Sequence, residues 1–163
     1  GDVLPDFYGG SGTSFQWKGL DLSVDFQYQI GGLVYDSSYQ QLMGLSRGQA
    51  MHVDQLAAWS TENPNSNIPR IQYKDDATAS SSDRFLTNAS YLTLRNITLG
   101  YTLPKKWTNV IGAEKIRFYV VGDNLYTWSK RKGLDPRQSI SGSTSQAYYR
   151  PIRTISGGIT ITL

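Results

Sequence analysis

Two carboxylates on one predicted strand are the first residues whose spacing could support chemistry. Asp21 and Asp25 both fall in the polar phase of the stretch Leu20 to Ile30, "LDLSVDFQYQI". Side chains an even number of residues apart on a strand share one face, and paired carboxylates are the groups that hydrolyse glycosides. The same two residues, with Gln27, also fit the wet face of an amphipathic strand. We favour the second interpretation, a water-facing strand surface, because no other residues in the sequence indicate an enzyme.

Other residue types that carry chemistry are scarce. His52 is the only histidine and Asp54 follows two residues later, so we expect a solvated loop residue. Cysteine is absent, which excludes a disulfide framework and thiolate metal sites. The sequence shows no P-loop, no Ser/His/Asp arrangement and no clustered metal ligands. We therefore predict no catalytic residue, no metal and no cofactor.

Five stretches alternate apolar and polar residues in the way that strands do. They are Tyr8 to Trp17, Leu20 to Ile30, Tyr91 to Leu103, Lys115 to Trp128 and Thr154 to Leu163. The third stretch changes phase, because Leu92 and Leu94 alternate in one phase and Ile97 and Leu99 in the other. A β-bulge near Arg95-Asn96 would restore a single apolar face. The chain is thus predicted to be all-β, with antiparallel up-and-down strands.

The connections between these strands alternate in length. A tight turn at Lys18-Gly19 is followed by a very long segment, Gly31 to Ser90, and the moderate link Pro104 to Glu114 by a long loop, Ser129 to Arg153. Outer-membrane barrels have this anatomy, with short periplasmic turns and longer extracellular loops. Eleven residues at ~3.3 Å each, tilted by ~45°, also span about 25 Å of membrane. Within the longest segment, "QAMHVDQLAAWS" (Gln49 to Ser60) predicts one short helix.

The totals of the chain restrict its class. Its 163 residues suit one domain, and its net charge of +3 is too mild and scattered for a nucleic-acid-binding surface. No stretch approaches the roughly 18 apolar residues of a spanning helix, and the first residues, "GDVLPDFYGG", do not form a signal peptide. Aromatic residues make up 12% of the chain. They would form two interfacial belts, one at the short-turn end (Trp17, Tyr101, Trp107) and one at the long-loop end (Tyr28, Tyr126, Trp128).

The last eight residues, "SGGITITL", fit the terminal-strand pattern that the outer-membrane assembly machinery reads. That pattern requires a polar residue, a glycine and two apolar residues at fixed spacing, and these places are filled by Ser156, Gly158, Ile161 and Leu163. The usual last residue is Phe, so Leu163 departs from it. With the turn at Lys18-Gly19 in the periplasm, the fifth strand also ends in the periplasm.

Taken together, these pieces resemble the carboxyl-terminal part of the SusC/RagA family of TonB-linked outer-membrane proteins. The resemblance rests on "FYGGSGTSFQWKGLDLSVDFQYQIGGLVYD", "WSTENPNSNIPR", "SYLTLRNITLGYTLP", "KIRFYVVGDNLYTWSKRKGLDP" and the terminal strand, in family order. It implies that residues 1–163 supply about five C-terminal strands of a 22-stranded transmembrane barrel, with the plug domain and the other strands outside this segment.

The resemblance also implies a function, a location and partners. Such proteins import glycans or peptides across the Gram-negative outer membrane, each with a SusD-like surface lipoprotein as a lid and with energy from the TonB complex, which acts through the plug. Substrate contacts would lie among the long loops, where aromatic faces stack on sugar rings. Candidate residues are Trp59, Tyr73, Tyr148 and Tyr149. Asp21, Asp25 and Gln27 would face the lumen.

Two other hypotheses remain from the residues alone. A soluble β-sandwich carbohydrate-binding module explains the alternation and the aromatic residues equally well, but not the alternation of loop lengths or the terminal pattern. An enzyme is supported only by the carboxylate pair. The sequence does not name a substrate.

Overall fold

A five-stranded antiparallel sheet dominates the computed structural model, which describes residues 1–44, 48–72, 77–130, 134–138, 142–144 and 150–163. The long strands follow one another across the sheet in the order β1-β2-β5-β6-β8. Their bounds are β1 Phe7–Trp17, β2 Leu20–Ile30, β5 Tyr91–Thr102, β6 Lys115–Ser129 and β8 Thr154–Thr162. The predicted antiparallel up-and-down arrangement is therefore confirmed, with strand bounds within one residue of those expected.

The turn between β1 and β2 is the tightest connection in the sheet. Trp17 pairs with Leu20, so the loop contains only Lys18 and Gly19. Both have positive φ, 46° and 89°, which is the geometry of a type I′ hairpin, whose twist matches that of the flanking strands. Glycine adopts such a φ without strain, whereas Lys18 is an uncommon residue there.

A β-bulge interrupts β5 where the sequence changes phase. On β2, Asp25 pairs with Asn96 and Phe26 pairs with Leu94, so Arg95 has no partner on that strand. The pairing with β6 shifts at the same place, where Asn124 has a positive φ of 51°. The bulge predicted near Arg95-Asn96 is confirmed, and it returns the second half of β5 to the phase of the first.

The long segments form a smaller unit at the end of the sheet away from the Lys18-Gly19 turn. Its strands, in the order β4-β3-β7, are β3 Leu33–Asp36, β4 Leu86–Asn88 and β7 Ser143–Thr144. Helix α1, Ser37–Leu42, begins where the side chain of Asp36 accepts the Tyr39 N–H at 2.9 Å. Tyr39, Met43 and Phe85 form the core of this unit.

The short helix predicted within Gln49 to Ser60 is present as a 3-10 helix rather than an α-helix. Within Gln49 to Ser60 the structure has only a 3-10 helix, Val53–Ala57, and its apolar residue Leu56 is 88% exposed. A helix there would bury no apolar face, and the buried residue is Gln55, whose amide donates to Met43 O at 2.6 Å. A second α-helix, α2 Lys105–Thr108, lies in the β5–β6 link, and shorter 3-10 helices cover Ala77–Ala79, Asp83–Phe85, Asn109–Ile111 and Pro136–Gln138.

Replacing Phe85 by alanine tests whether this core orders the smaller unit. Phe85 is fully buried between the rings of Tyr35 and Tyr39, so we expect Phe85→Ala to destabilise the unit by about 3–5 kcal/mol. Hydrogen exchange of the folded protein should then accelerate in β3, β4 and α1 but not in the main sheet. The control, Leu56→Ala at an exposed position, should change nothing, and unchanged exchange in Phe85→Ala would contradict the assigned core.

Candidate functional site

The register divides the side chains of the main sheet into two faces of opposite character. Phe15 pairs with Leu22, Leu22 with Leu99, and Leu99 with Val120, so apolar residues stand beside apolar residues across four strands. The exposed members of this apolar face include Phe15, Trp17, Leu92, Leu99, Phe118, Val120, Ile155, Ile159 and Ile161. No other described element covers these side chains, so the apolar face is open along most of its length; the exception is Ile116 at the turn end, which is buried where α2 contacts β6.

Aromatic residues gather at both ends of the apolar face. Next to the turn, Trp17 pairs with Leu20, Leu20 with Tyr101, and Tyr101 with Phe118. At the other end, Tyr28 and Trp128 both pair with Leu92, and the rings of Tyr126 and Trp128 meet edge to face at 4.7 Å. Trp107 on α2 is exposed beside the turn end. The predicted distribution of aromatic residues is confirmed.

On the opposite, polar face, an ion pair crosses three strands near the turn. Arg117 on β6 reaches over β5 to Asp21 on β2, with its Nε 3.1 Å from Oδ1 and its Nη2 against Oδ2. The strand between them carries Gly100 at this level, and a Cβ there would collide with both side chains. The missing side chain of Gly100 therefore makes the bidentate pair possible.

In the middle of the polar face, polar side chains form hydrogen bonds with one another. The amide of Asn96 donates to Asp123 Oδ1 at 2.7 Å, and the Thr98 hydroxyl donates to the Asn96 carbonyl at 3.0 Å. Thr93 and Thr127 share a hydrogen bond of 3.1 Å between their hydroxyls. The polar side chains of this region therefore largely satisfy one another's hydrogen-bonding groups.

Towards the loops, the polar face opens into a hollow that we call the upper cleft. The side chains of the polar face that line it are Tyr8, Gln27, Gln29, Tyr91 and Arg95. It has a volume of about 250 Å³ and adjoins a space of about 690 Å³ below the loops, which shares four of these residues. Sequence reasoning missed the cleft, although the bulge predicted at Arg95 placed an extra residue on this strand.

A second ion pair lies at the loop end of β6. Asp135 is buried and accepts two hydrogen bonds from the Arg137 guanidinium, at 2.8 and 2.5 Å, and one from its backbone N–H at 3.1 Å. Burial alone raises the pKa of Asp135, but the hydrogen bonds from Arg137 outweigh it and the net pKa is lowered. Arg137 is thus engaged by Asp135 and is not a free cation.

The residues predicted to contact substrate are only partly placed. Tyr73, Tyr148 and Tyr149 lie outside the described residues. Trp59 is 41% exposed, its backbone N–H donates to Ile68 O at 2.8 Å, and it does not line the upper cleft. Asp21, Asp25 and Gln27 share the polar face, as predicted from their alternation.

The terminal pattern occupies β8 and the residue after it. Ser156 pairs with Val121 and Gly158 with Tyr119 on the polar face, Ile161 pairs with Ile116 on the apolar face, and Leu163 follows the last strand residue. A Cβ at Gly158 would lie 2.6 Å from Cζ of Tyr119, so the tyrosine ring covers this glycine. Packing against Tyr119 therefore explains why a glycine occupies this place in the pattern, while its role in assembly stays a prediction.

Neither a cluster of metal ligands nor a membrane-spanning helix occurs among the described residues. Within them, no three His, Asp or Glu side chains are grouped so that they could hold a metal ion. Among the helices described, none is long and apolar enough to cross a membrane.

Gly100→Ala tests the ion pair across the polar face. The added Cβ should separate Asp21 from Arg117, so Gly100→Ala and Asp21→Asn should each lower the free energy of unfolding by about 1 kcal/mol. Because both remove the same interaction, the double variant should lose no more than one of them. Gly157→Ala is the control, since a Cβ there meets its nearest atom at an ordinary 3.4 Å. Fully additive losses in urea unfolding would contradict the shared interaction.

Known proteins similar to this chain are outer-membrane receptors. TonB-dependent receptor P3 of Formosa agariphila is 31% identical over 147 residues, which are 90% of this chain and 14% of that protein. TonB-dependent receptor SusC of Bacteroides thetaiotaomicron is 29% identical over 158 residues, or 96% of this chain and 15% of that protein. A comparison with protein-family models finds no match.

Solved structures agree with the sequence comparison. The RagAB peptide transporter superimposes with a TM-score of 0.79 at 28% identity, over 98% of this chain and 17% of the matched chain. The RagAB peptide importer in its open-open state gives 0.76 at 26% identity. The chain thus spans about one-sixth of the proteins that it matches. These relatives are receptors and transporters rather than enzymes, as was predicted for this chain.

The sequence matches and the superposition cover the same residues, nearly the whole chain, and both lead to the same group of proteins. The antiparallel sheet is accordingly one part of a larger barrel fold. The chain is a segment of the SusC/RagA family of TonB-dependent receptors, which reside in the outer membrane of Gram-negative bacteria.

Proposed function

We propose that residues 1–163 form C-terminal wall strands and outer loops of a TonB-dependent nutrient importer. In this proposal the apolar face contacts lipid, and the polar face lines the lumen with Asp21, Asp25 and Gln27. The loop unit lies at the extracellular mouth. The segment holds part of the transport path and performs no catalysis.

The observation that carries the proposal is the pair of unlike faces on one sheet. A soluble β-sandwich buries its apolar faces against each other, but here the described elements leave the apolar face of five strands uncovered except at Ile116, beside α2. The opposite face carries the bidentate pair of Asp21 and Arg117, which water or a polar plug can accommodate. Lipid outside and water inside satisfy both faces together.

The edges of the sheet also favour a barrel. β1 and β8 each pair on one side only, and a spanning sheet must close because lipid cannot satisfy free backbone groups. Matched proteins of about six times this length provide ample chain for further strands and a plug. The family order of the sequence pieces and the terminal pattern support a place at the C-terminal end of that barrel.

The relatives support a proposal for the partners and the cargo. RagAB is described as a peptide transporter and SusC as a TonB-dependent receptor, so we propose a peptide or a glycan as cargo. A SusD-like surface lipoprotein would cover the loop end, and the TonB complex would act through the plug outside this segment. Capture at the mouth, closure of the lid and rearrangement of the plug are the proposed steps.

Neither alternative is favoured by an observation. A soluble carbohydrate-binding module leaves the apolar face without a contact. In a glycosidase both carboxyl groups must act directly on the substrate, but both oxygens of Asp21 are bound by Arg117.

The importer is tested on the full-length polypeptide that contains this segment. We expect it to fractionate with the outer membrane and to migrate differently on gels before and after heating, because closed barrels resist detergent until heated. Deletion of its gene should abolish growth on at least one glycan or peptide, and a plasmid copy should restore it. A full-length product that is soluble and monomeric without detergent would contradict the proposal.

Arginine substitutions on β2 test which face meets lipid. Val24→Arg should cost about 2–4 kcal/mol, because Val24 lies near the middle of the strand on the proposed lipid face. Asp25→Arg, one residue later on the opposite face, should cost much less. The free energies of unfolding in lipid vesicles give the comparison, and equal costs at the two positions would show that the faces are wrongly assigned.

A further inference from the structure

Arg95 lines the upper cleft and has no charged partner among the described residues. Its backbone is the bulge residue of β5, and its side chain is exposed and lines the cleft. It forms no hydrogen bond and no ion pair with any other described residue. By contrast, Arg117 and Arg137 on the same face or beside it are each engaged by an aspartate.

The acids near Arg95 are directed elsewhere. Asp123 accepts from Asn96 at 2.7 Å, and Asp135 is saturated by Arg137. The carboxylate of Asp25 lies on the β1 side, over Gly12, where it would collide with a Cβ added to that glycine. The positive charge of Arg95 is therefore not neutralised within the described chain.

The rest of the cleft offers a stacking surface and hydrogen-bonding groups to a polar ligand. Tyr8 is 80% exposed and belongs to the polar face, since it pairs with Gln29. Its ring offers a stacking surface, and the amides of Gln27 and Gln29 offer both donors and acceptors. A guanidinium presents a planar fork of donors that matches a carboxylate in two parallel hydrogen bonds.

We propose that the upper cleft is a cargo subsite that recognises a carboxylate, with Arg95 as its anchor and Tyr8 as its stacking surface. The inference rests on the importer proposed above and specifies its cargo as acidic. The carboxylate can belong to a uronic acid of a glycan or to an acidic peptide. Both present the same group to the guanidinium, so the sources are separated by the probes.

The test compares binding by the full-length receptor, purified in detergent, with four probes of equal length. These are a uronic-acid tetrasaccharide, its neutral counterpart, an acidic tetrapeptide and its neutral counterpart. We expect the wild type to prefer one acidic probe over its neutral counterpart, and Arg95→Gln to weaken that probe about tenfold or more. Arg95→Lys should recover part of the affinity, because it restores the charge without the fork.

The control is Lys105→Gln, which removes an exposed charge from α2 at the turn end. It should leave all four affinities unchanged. Tyr8→Ala should weaken both members of the preferred pair, since stacking does not depend on the carboxylate.

Three results would overturn the inference. If the wild type binds neutral probes as well as acidic ones, cargo is not chosen by a carboxylate, while the importer stands. If Arg95→Gln leaves the preference intact but lowers stability, the arginine pairs with another part of the same polypeptide instead. If the gene is required for no uptake, the importer fails, and the subsite fails with it.

Discussion

One extra residue, Arg95, keeps the two faces of the sheet distinct. Side chains on a strand alternate strictly, so the change of phase between Leu94 and Asn96 would otherwise turn Ile97 and Leu99 onto the polar face. The bulge absorbs that residue, and the register shift reaches β6 as well, where Asn124 has a positive φ. The assignment of the later strand residues to the apolar or the polar face therefore depends on this bulge.

The bulge also explains why the polar face has regions with different roles. Below it, Gly100 leaves room for the pair of Asp21 and Arg117, and the polar groups satisfy one another. At the bulge, the added residue contributes a side chain that no facing strand residue matches. The bulge that keeps the apolar face continuous thus also places Arg95, which has no charged partner among the described residues, on the polar face, where cargo would pass in the proposed importer.

Much of this arrangement could be predicted from the sequence, because period-two alternation and turn chemistry are local signals. The five strands, the turn at Lys18-Gly19 and the bulge follow from them. The short helix predicted within Gln49 to Ser60 forms only as a 3-10 helix, because its apolar residues are exposed, and the α-helix at Ser37–Leu42, which buries Tyr39, was not predicted. Tyr8 and Arg95 could not be recognised as one site, because their proximity depends on the register of β1, β2 and β5 together.

The central claim is that one face of the sheet meets lipid and the other meets water. Its most direct test is the accessibility of successive β2 positions to lipid-soluble and water-soluble reagents. This segment has no cysteine, so single cysteines at positions 21 to 26 can each carry a spin label in the full-length receptor in lipid vesicles, once any cysteine outside the segment has been replaced by serine. Collisions with lipid-soluble oxygen should peak at 22, 24 and 26, and collisions with a water-soluble nickel complex at 21, 23 and 25. The same accessibility at adjacent positions, or the reverse phase, would contradict the claim.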